Sequence, residues 1–190
     1  MPNFEAIQTE DDITRTLMDD PWRVDVLKAA EELQLPNWWI GAGFLRNVIW
    51  DAIEGNNSPP NRDVDLVYFD PGNVEPETDW AYDEQQKAKF PFAEWEIRNQ
   101  ARMHNINNFA PYASTEDGIA HWVETATCVA VRLDGDKFKY LFSHGTADLF
   151  GLIARPIPLF RTADLLPVFH TRIQKKHWRE RWPHLQILDQ

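Results

Sequence analysis

Residues 63–69, Asp-Val-Asp-Leu-Val-Tyr-Phe, place two carboxylates at the head of an apolar, strand-forming run, and no other segment constrains the fold as tightly. In an extended chain, side chains two apart point to the same side. Asp63 and Asp65 therefore stand side by side at the start of a strand whose continuation is apolar enough for a central place in a sheet. The turn Asp70-Pro71-Gly72 ends it, with Asp70 as turn former. Like charges crowded on a buried strand are costly unless a cation neutralises them, and hard oxygen ligands at this spacing suit Mg²⁺ or Mn²⁺.

Upstream, Trp38-Trp39-Ile40-Gly41 reads as a short buried strand. Phe44, Leu45, Val48, Ile49 and Ile53 mark an amphipathic helix that begins just after Gly41-Ala42-Gly43. A glycine turn at a helix N-terminus offers free backbone N–H groups and the helix dipole to phosphate oxygens. Arg46 and Asn47, in the first turn of the helix, are within reach of the same phosphates. Taken singly, each feature has a plainer meaning: Gly41 and Gly43 serve a tight strand-to-helix turn, and Asp-x-Asp pairs are common on exposed strands. Together they supply a polyphosphate cradle followed about twenty residues later by paired metal-binding carboxylates, which is what transfer of a nucleotidyl group requires.

The chain resembles the nucleotidyltransferase superfamily typified by DNA polymerase beta, and more specifically a bacterial family of predicted nucleotidyltransferases. The resemblance runs through residues 39–47, 62–70, 95–104 and 175–179 and so spans most of the chain. It implies an α+β nucleotidyltransferase fold, a small mixed sheet flanked by helices with a C-terminal helical segment, in which a third acid on a neighbouring strand completes the metal site. That third acid is expected to be Glu96, in the extended segment 94–99; Glu94 shares its face, so the choice between them rests on the resemblance. The implied catalytic and metal-binding set is Asp63, Asp65 and Glu96, with Gly41, Gly43, Arg46 and Asn47 holding phosphates and Mg²⁺ or Mn²⁺ as cofactor. Members of the superfamily often carry a serine in the turn, where this chain has Ala42-Gly43, so backbone contacts replace a hydroxyl. Arg62 and Arg98 are secondary phosphate candidates, each with a structural alternative, which for Arg98 is a pair with Asp63 or Glu94. His104 is expected to be a hydrogen-bonded helical histidine.

Charge narrows the partners. The net charge of −11 is uneven, with 17 acids against 5 bases in residues 1–80 and 13 against 14 in residues 81–190. The acidic half repels a nucleic-acid backbone, which favours a small molecule or a protein over a long nucleic acid as acceptor of the nucleoside triphosphate's NMP group. The basic cluster Arg172, Lys175, Lys176, Arg179 and Arg181 reads as the solvated face of a terminal helix, with a local phosphate contact as the alternative. No apolar run reaches the ~20 residues of a membrane span, and the first twenty residues lack a basic, then apolar, leader, so a cytoplasmic location is expected. The single cysteine, Cys128, lies in an apolar strand and excludes a disulfide within the chain or a cysteine-rich zinc site.

The rest of the pattern predicts one domain over 1–190: a helical lead (1–36), a catalytic core (about 37–160) and a helical C-terminal segment (about 161–190). Asp20-Pro21 opens a helix that Pro36 stops. Residues 55–61 form a loop; helices are expected at 78–90, 101–109, 115–122, 147–153 and most of 162–181. A hairpin joins strands 125–133 and 137–142 through Asp134-Gly135-Asp136. Two other readings share these residues: a catalytically silent nucleotide- and metal-binding or regulatory module, and a transferase of the antibiotic-modifying or toxin–antitoxin type.

Overall fold

The computed structural model describes residues 1–57, 59 and 61–190; Ser58 and Pro60 of the expected loop lie outside the described residues. Five strands form a mixed sheet in the order β3-β2-β1-β4-β5. These are β1 (Trp39–Gly41), β2 (Asp63–Tyr68), β3 (Glu94–Asn99), β4 (Val129–Asp134) and β5 (Lys137–Phe142). β2 and β3 run parallel, joined by helix α4 (Pro76–Lys89), and the other pairs are antiparallel. The α+β expectation holds.

One sheet face carries the main core. Helices α1 (Glu10–Met18), α2 (Pro21–Glu31) and α3 (Gly43–Glu54) bring Ile13, Leu17, Val26, Leu27, Leu45 and Ile49 onto Val64, Leu66, Ile97 and Val131. A Thr9–Asp12 capping box starts α1, and Asp20 accepts from the Trp22 amide at the start of α2, as its Asp-Pro opening predicts. α2 ends at Glu31, ahead of Pro36, and the chain then turns through Gln34, which has φ 50°. The exposed edge of β3 is closed by α4: Ile97 donates its amide to Asp83 (2.6 Å) and Asn99 donates its amide to Asp79 (3.1 Å). Edge N–H groups satisfied in this way no longer template further strands.

The opposite face has a smaller apolar cluster, in which Trp39, Val67, Ala130 and Cys128 meet Ile119, Ile157 and Phe160. Ile119 comes from α6 (Thr115–Ala120), which follows the short α5 (Gln100–Met103). Several expected elements are shorter than their patterns. The 101–109 helix is α5 and one 3₁₀ turn, residues 125–128 precede β4 rather than belonging to it, and 147–153 divides into α7 (Ala147–Phe150) and β6 (Ile153–Ala154). The C-terminal helix breaks at His177, in left-handed geometry, into α8 (Leu166–Lys176) and α9 (Trp178–Arg181). β7 (Gln186–Ile187) then pairs with β6 and ties the terminal segment to the body. Among the described residues no helix is long and apolar enough to cross a membrane.

Candidate active site

The parallel register of β2 and β3 pairs Asp63 with Glu94 and Asp65 with Glu96. Four acids thereby form two rows on the face opposite the main core. Asp65 is the partly sheltered member, while Asp63, Glu94 and Glu96 are exposed. Burial pushes the Asp65 carboxyl above its usual range, and the charges of Glu96 and Asp63 push it further, against Lys176 and Arg46. Among the described residues no three metal-ligating side chains close into a ready-made cage. The register sets the acid-bearing positions side by side on one face of the sheet, and carboxylate oxygens would suit a small divalent ion that keeps part of its water shell. An all-oxygen donor set whose charges repel one another fits such an ion. Glu96 lines cavities on both sides of Asp65, Glu94 only one of them, which distinguishes the two glutamates.

Beside the acids lies a cavity of about 330 Å³ into which Ala42, Gly43, Arg46, Asn47, Asp63 and Asp65 all open. The turn is strained at one place: Ala42 has φ 51° and ψ −122°, a conformation suited to glycine. No side chain caps α3, which leaves the first-turn amides without a side-chain acceptor. A Cβ on Gly43 would come within 3.2 Å of the Asn47 side chain and 3.6 Å of the Arg46 guanidinium, so the glycine keeps those groups close to the turn. Gly41 is placed differently. It lies in β1, does not line this cavity, and a Cβ there would overlap the Trp122 ring.

Arg46 is buried between two indoles, with its guanidinium 5.1 Å from the Trp50 ring and 4.4 Å from that of Trp178. It donates to Thr127 Oγ1 (2.7 Å) and Asn47 Oδ1 (2.9 Å), and its Nε has no partner among the described residues. Burial lowers its pKa to about 10, with Glu124 and Asp65 opposing the shift, so it remains a cation at neutral pH.

The far wall comes from α8. Arg172 and Lys176, four apart on one helical face, both line the cavity. Arg172 is fixed by the buried Glu124, its Nε lying 2.8 Å from Oε1 and 3.1 Å from Oε2. The basic cluster read as a solvated face is thus divided: Arg172 and Lys176 face the acids, and Arg181 pairs with Asp51 at 2.6 Å and 2.9 Å. Trp178 and Trp182 pack edge-on against Trp50 at 5.6 Å and 5.0 Å, which fixes the terminal segment over α3. Sequence reasoning gave no role to Glu124 or Thr127, and it reached Trp178 only as a member of the 175–179 segment of the family resemblance.

Two further cavities flank the acids. One of about 310 Å³, shared by Asp65 and Glu96, is walled by Val67, Tyr112, His121 and Trp122. Another of about 540 Å³ runs along β3 past Asp63, Glu94 and Trp95, with Lys87 and Lys176 at its sides. Arg98 pairs with Asp83 (2.7 Å) and Glu96 (3.4 Å), not with Asp63 or Glu94 as the sequence suggested, because α4 covers that edge. His104 packs against Tyr112, 6.0 Å between ring centroids, and Asp70 accepts from the Gly72 amide as a turn former.

A family model described as nucleotidyltransferase matches residues 28–187. An NMR structure described as a CCA-adding enzyme head domain is 27% identical, with 99% of this chain and 100% of that one covered and a TM-score of 0.88. Structures of a CCA-adding enzyme with CTP and with ATP match 93% of this chain at TM-scores of 0.58 and 0.56. Their identities are 16% and 18%, so they show the fold alone, and the chain spans less than half their length, 43% and 42%. No curated protein sequence matches the chain.

Proposed function

This chain belongs to the nucleotidyltransferase family, and from that premise we propose that it is a cytoplasmic enzyme moving an NMP group from a nucleoside triphosphate to a hydroxyl of a small molecule or protein. One observation carries the reading: the uncapped turn of α3, the buried Arg46 and the carboxylates of Asp63 and Asp65 open into one cavity. Asp63, Asp65 and Glu96 would hold Mg²⁺ or Mn²⁺. When bound, the metal supplies a Lewis acid that lowers the charge on the reacting phosphate and on the attacking and leaving oxygens.

The chain's own groups do the rest. The Gly43 turn, Arg46 and Asn47 bind the β- and γ-phosphates from one wall, and Arg172 and Lys176 bind them from the other, so the leaving pyrophosphate departs into a cationic chamber. Arg46, locked between indoles and hydrogen-bonded to Thr127, offers its charge without reorganising. Gly41 acts one step removed, by leaving room for the Trp122 ring. Glu96, exposed on the face of β3, orients the acceptor hydroxyl and takes its proton as the oxygen attacks the α-phosphorus in line.

Calorimetry of nucleoside triphosphate binding with Mg²⁺ or Mn²⁺ tests the proposal, comparing wild type with an Asp63→Ala, Asp65→Ala double variant. Metal-dependent binding confined to the wild type is the expected result and justifies an acceptor screen that follows pyrophosphate release. Equal binding by both proteins, or none by either, removes the enzymatic reading.

A further inference from the structure

We propose that the 310 Å³ cavity is the chamber for the base and ribose of the donor nucleotide, which leaves the larger cavity along β3 to the acceptor. The inference rests on the nucleotidyltransferase reading and adds to it where each half of the substrate lies. Ala42, Asp65 and Arg172 line both this cavity and the phosphate cavity. The two cavities therefore adjoin at the α3 turn and Asp65; the cavity along β3 also adjoins the phosphate cavity, through Asp63, Asp65 and Lys176, so the chemistry of the walls decides between them.

The walls match a planar heterocycle. Tyr112 and His121 are stacked, 5.0 Å apart and inclined by 29°, and Trp122 stands beside them. Val67 and Met103 supply apolar surface, while Gln100 and Asn107 bring amide groups of the kind that read base edges. Two glycines preserve these walls: a Cβ on Gly41 would overlap the Trp122 ring, and one on Gly118 would press on the buried Gln100 side chain. Both positions are tied to the seating of chamber side chains rather than to a phosphate. The cavity along β3 is lined mainly by charged groups, among them Lys87, Glu94 and Glu96, and lies against the edge strand, where a separate polar substrate can enter.

A ring-bearing acceptor would find the same chemistry in the aromatic chamber, and the experiment separates the two sources. Affinities of the full chain for ATP, CTP and inorganic tripolyphosphate are measured with Mg²⁺, for wild type and Tyr112→Ala. At least one nucleotide is expected to bind wild type roughly ten- to a hundredfold more tightly than tripolyphosphate, the range of one stacked base. Tyr112→Ala is expected to erase most of that preference while keeping its tripolyphosphate affinity, which also reports that it folds. In wild type, magnetisation-transfer contacts from the base protons to the Tyr112 ring are expected, a readout that needs no variant. Nucleotides bound no more tightly than tripolyphosphate, a preference that survives Tyr112→Ala, or base contacts to Trp95 and Pro91 instead would each overturn the proposal. Failure of tripolyphosphate itself to bind wild type would overturn the nucleotidyltransferase reading together with it.

Discussion

Strands β2 and β3 have two faces made from alternating residues, and the faces do opposite things. Val64, Leu66, Tyr68, Trp95 and Ile97 turn toward α1–α4 and enter the main core. Asp63, Asp65, Glu94 and Glu96 turn the other way, where only Val67 at the far end is covered by apolar neighbours. The first face supports folding through apolar burial, while the second stores electrostatic repulsion in the metal-free protein. A period of two is enough to place an apolar face and a row of acids on one strand, with the acids costing part of the stability that the apolar face supplies.

The comparison breaks most readily at Leu66, which is fully buried. Leu66→Ala is expected to cost about 2–5 kcal/mol and lower the thermal midpoint by roughly 5 °C or more, as measured by calorimetric or circular-dichroism melting. A midpoint within a degree of wild type would mean that this face is not the core.

One position earlier the sign reverses. Asp65→Asn is expected to stabilise the metal-free protein by about 0.5–2 kcal/mol while removing metal-dependent nucleotide binding. Burial and neighbouring charge raise the Asp65 pKa in the folded state, so the penalty of its charge is absent below the unfolded pKa and complete above the folded one. The advantage of the variant should therefore shrink as pH falls into the carboxylate range and persist at neutral pH, which melting curves at several pH values will show. A variant less stable than wild type at neutral pH contradicts this account.

The smallest effect sharpens the chemical face. Lys176 lines the cavity proposed to hold the phosphates, and its neighbour Lys175 does not. Lys176→Ala should weaken triphosphate binding about three- to tenfold with little change in melting temperature, whereas Lys175→Ala should change neither. Equal effects from the two lysines would return the helix to a solvated basic face.

Much of this was legible in sequence because its causes are local. The alternation in 63–69, the Asp-Pro start of α2 and the extended segment 94–99 appear as elements with nearly the expected bounds. The glycine turn was also visible, but its strain was not: the positive φ falls on Ala42 rather than on either glycine. Gly41, read as part of the phosphate cradle, sits under the ring of Trp122, 81 positions away in the chain. Expected helices that came out short, such as 101–109, ended where packing against α6 and Tyr112 replaced helical periodicity.

By itself the sequence determined which strand carries the paired acids, which helix begins at the glycine turn and that the two alternate sides of the strand differ in polarity. Those depend on side-chain spacing and capping within a few residues. Only tertiary structure decided that Glu96 rather than Glu94 borders both flanking cavities, that Glu124 holds Arg172 and that Trp178 closes over Arg46. These partners are brought together by β-sheet register and by packing of a terminal segment more than a hundred residues from the turn it completes. Long-range placement of that kind is set by how the whole chain fills its core, and no local pattern encodes it.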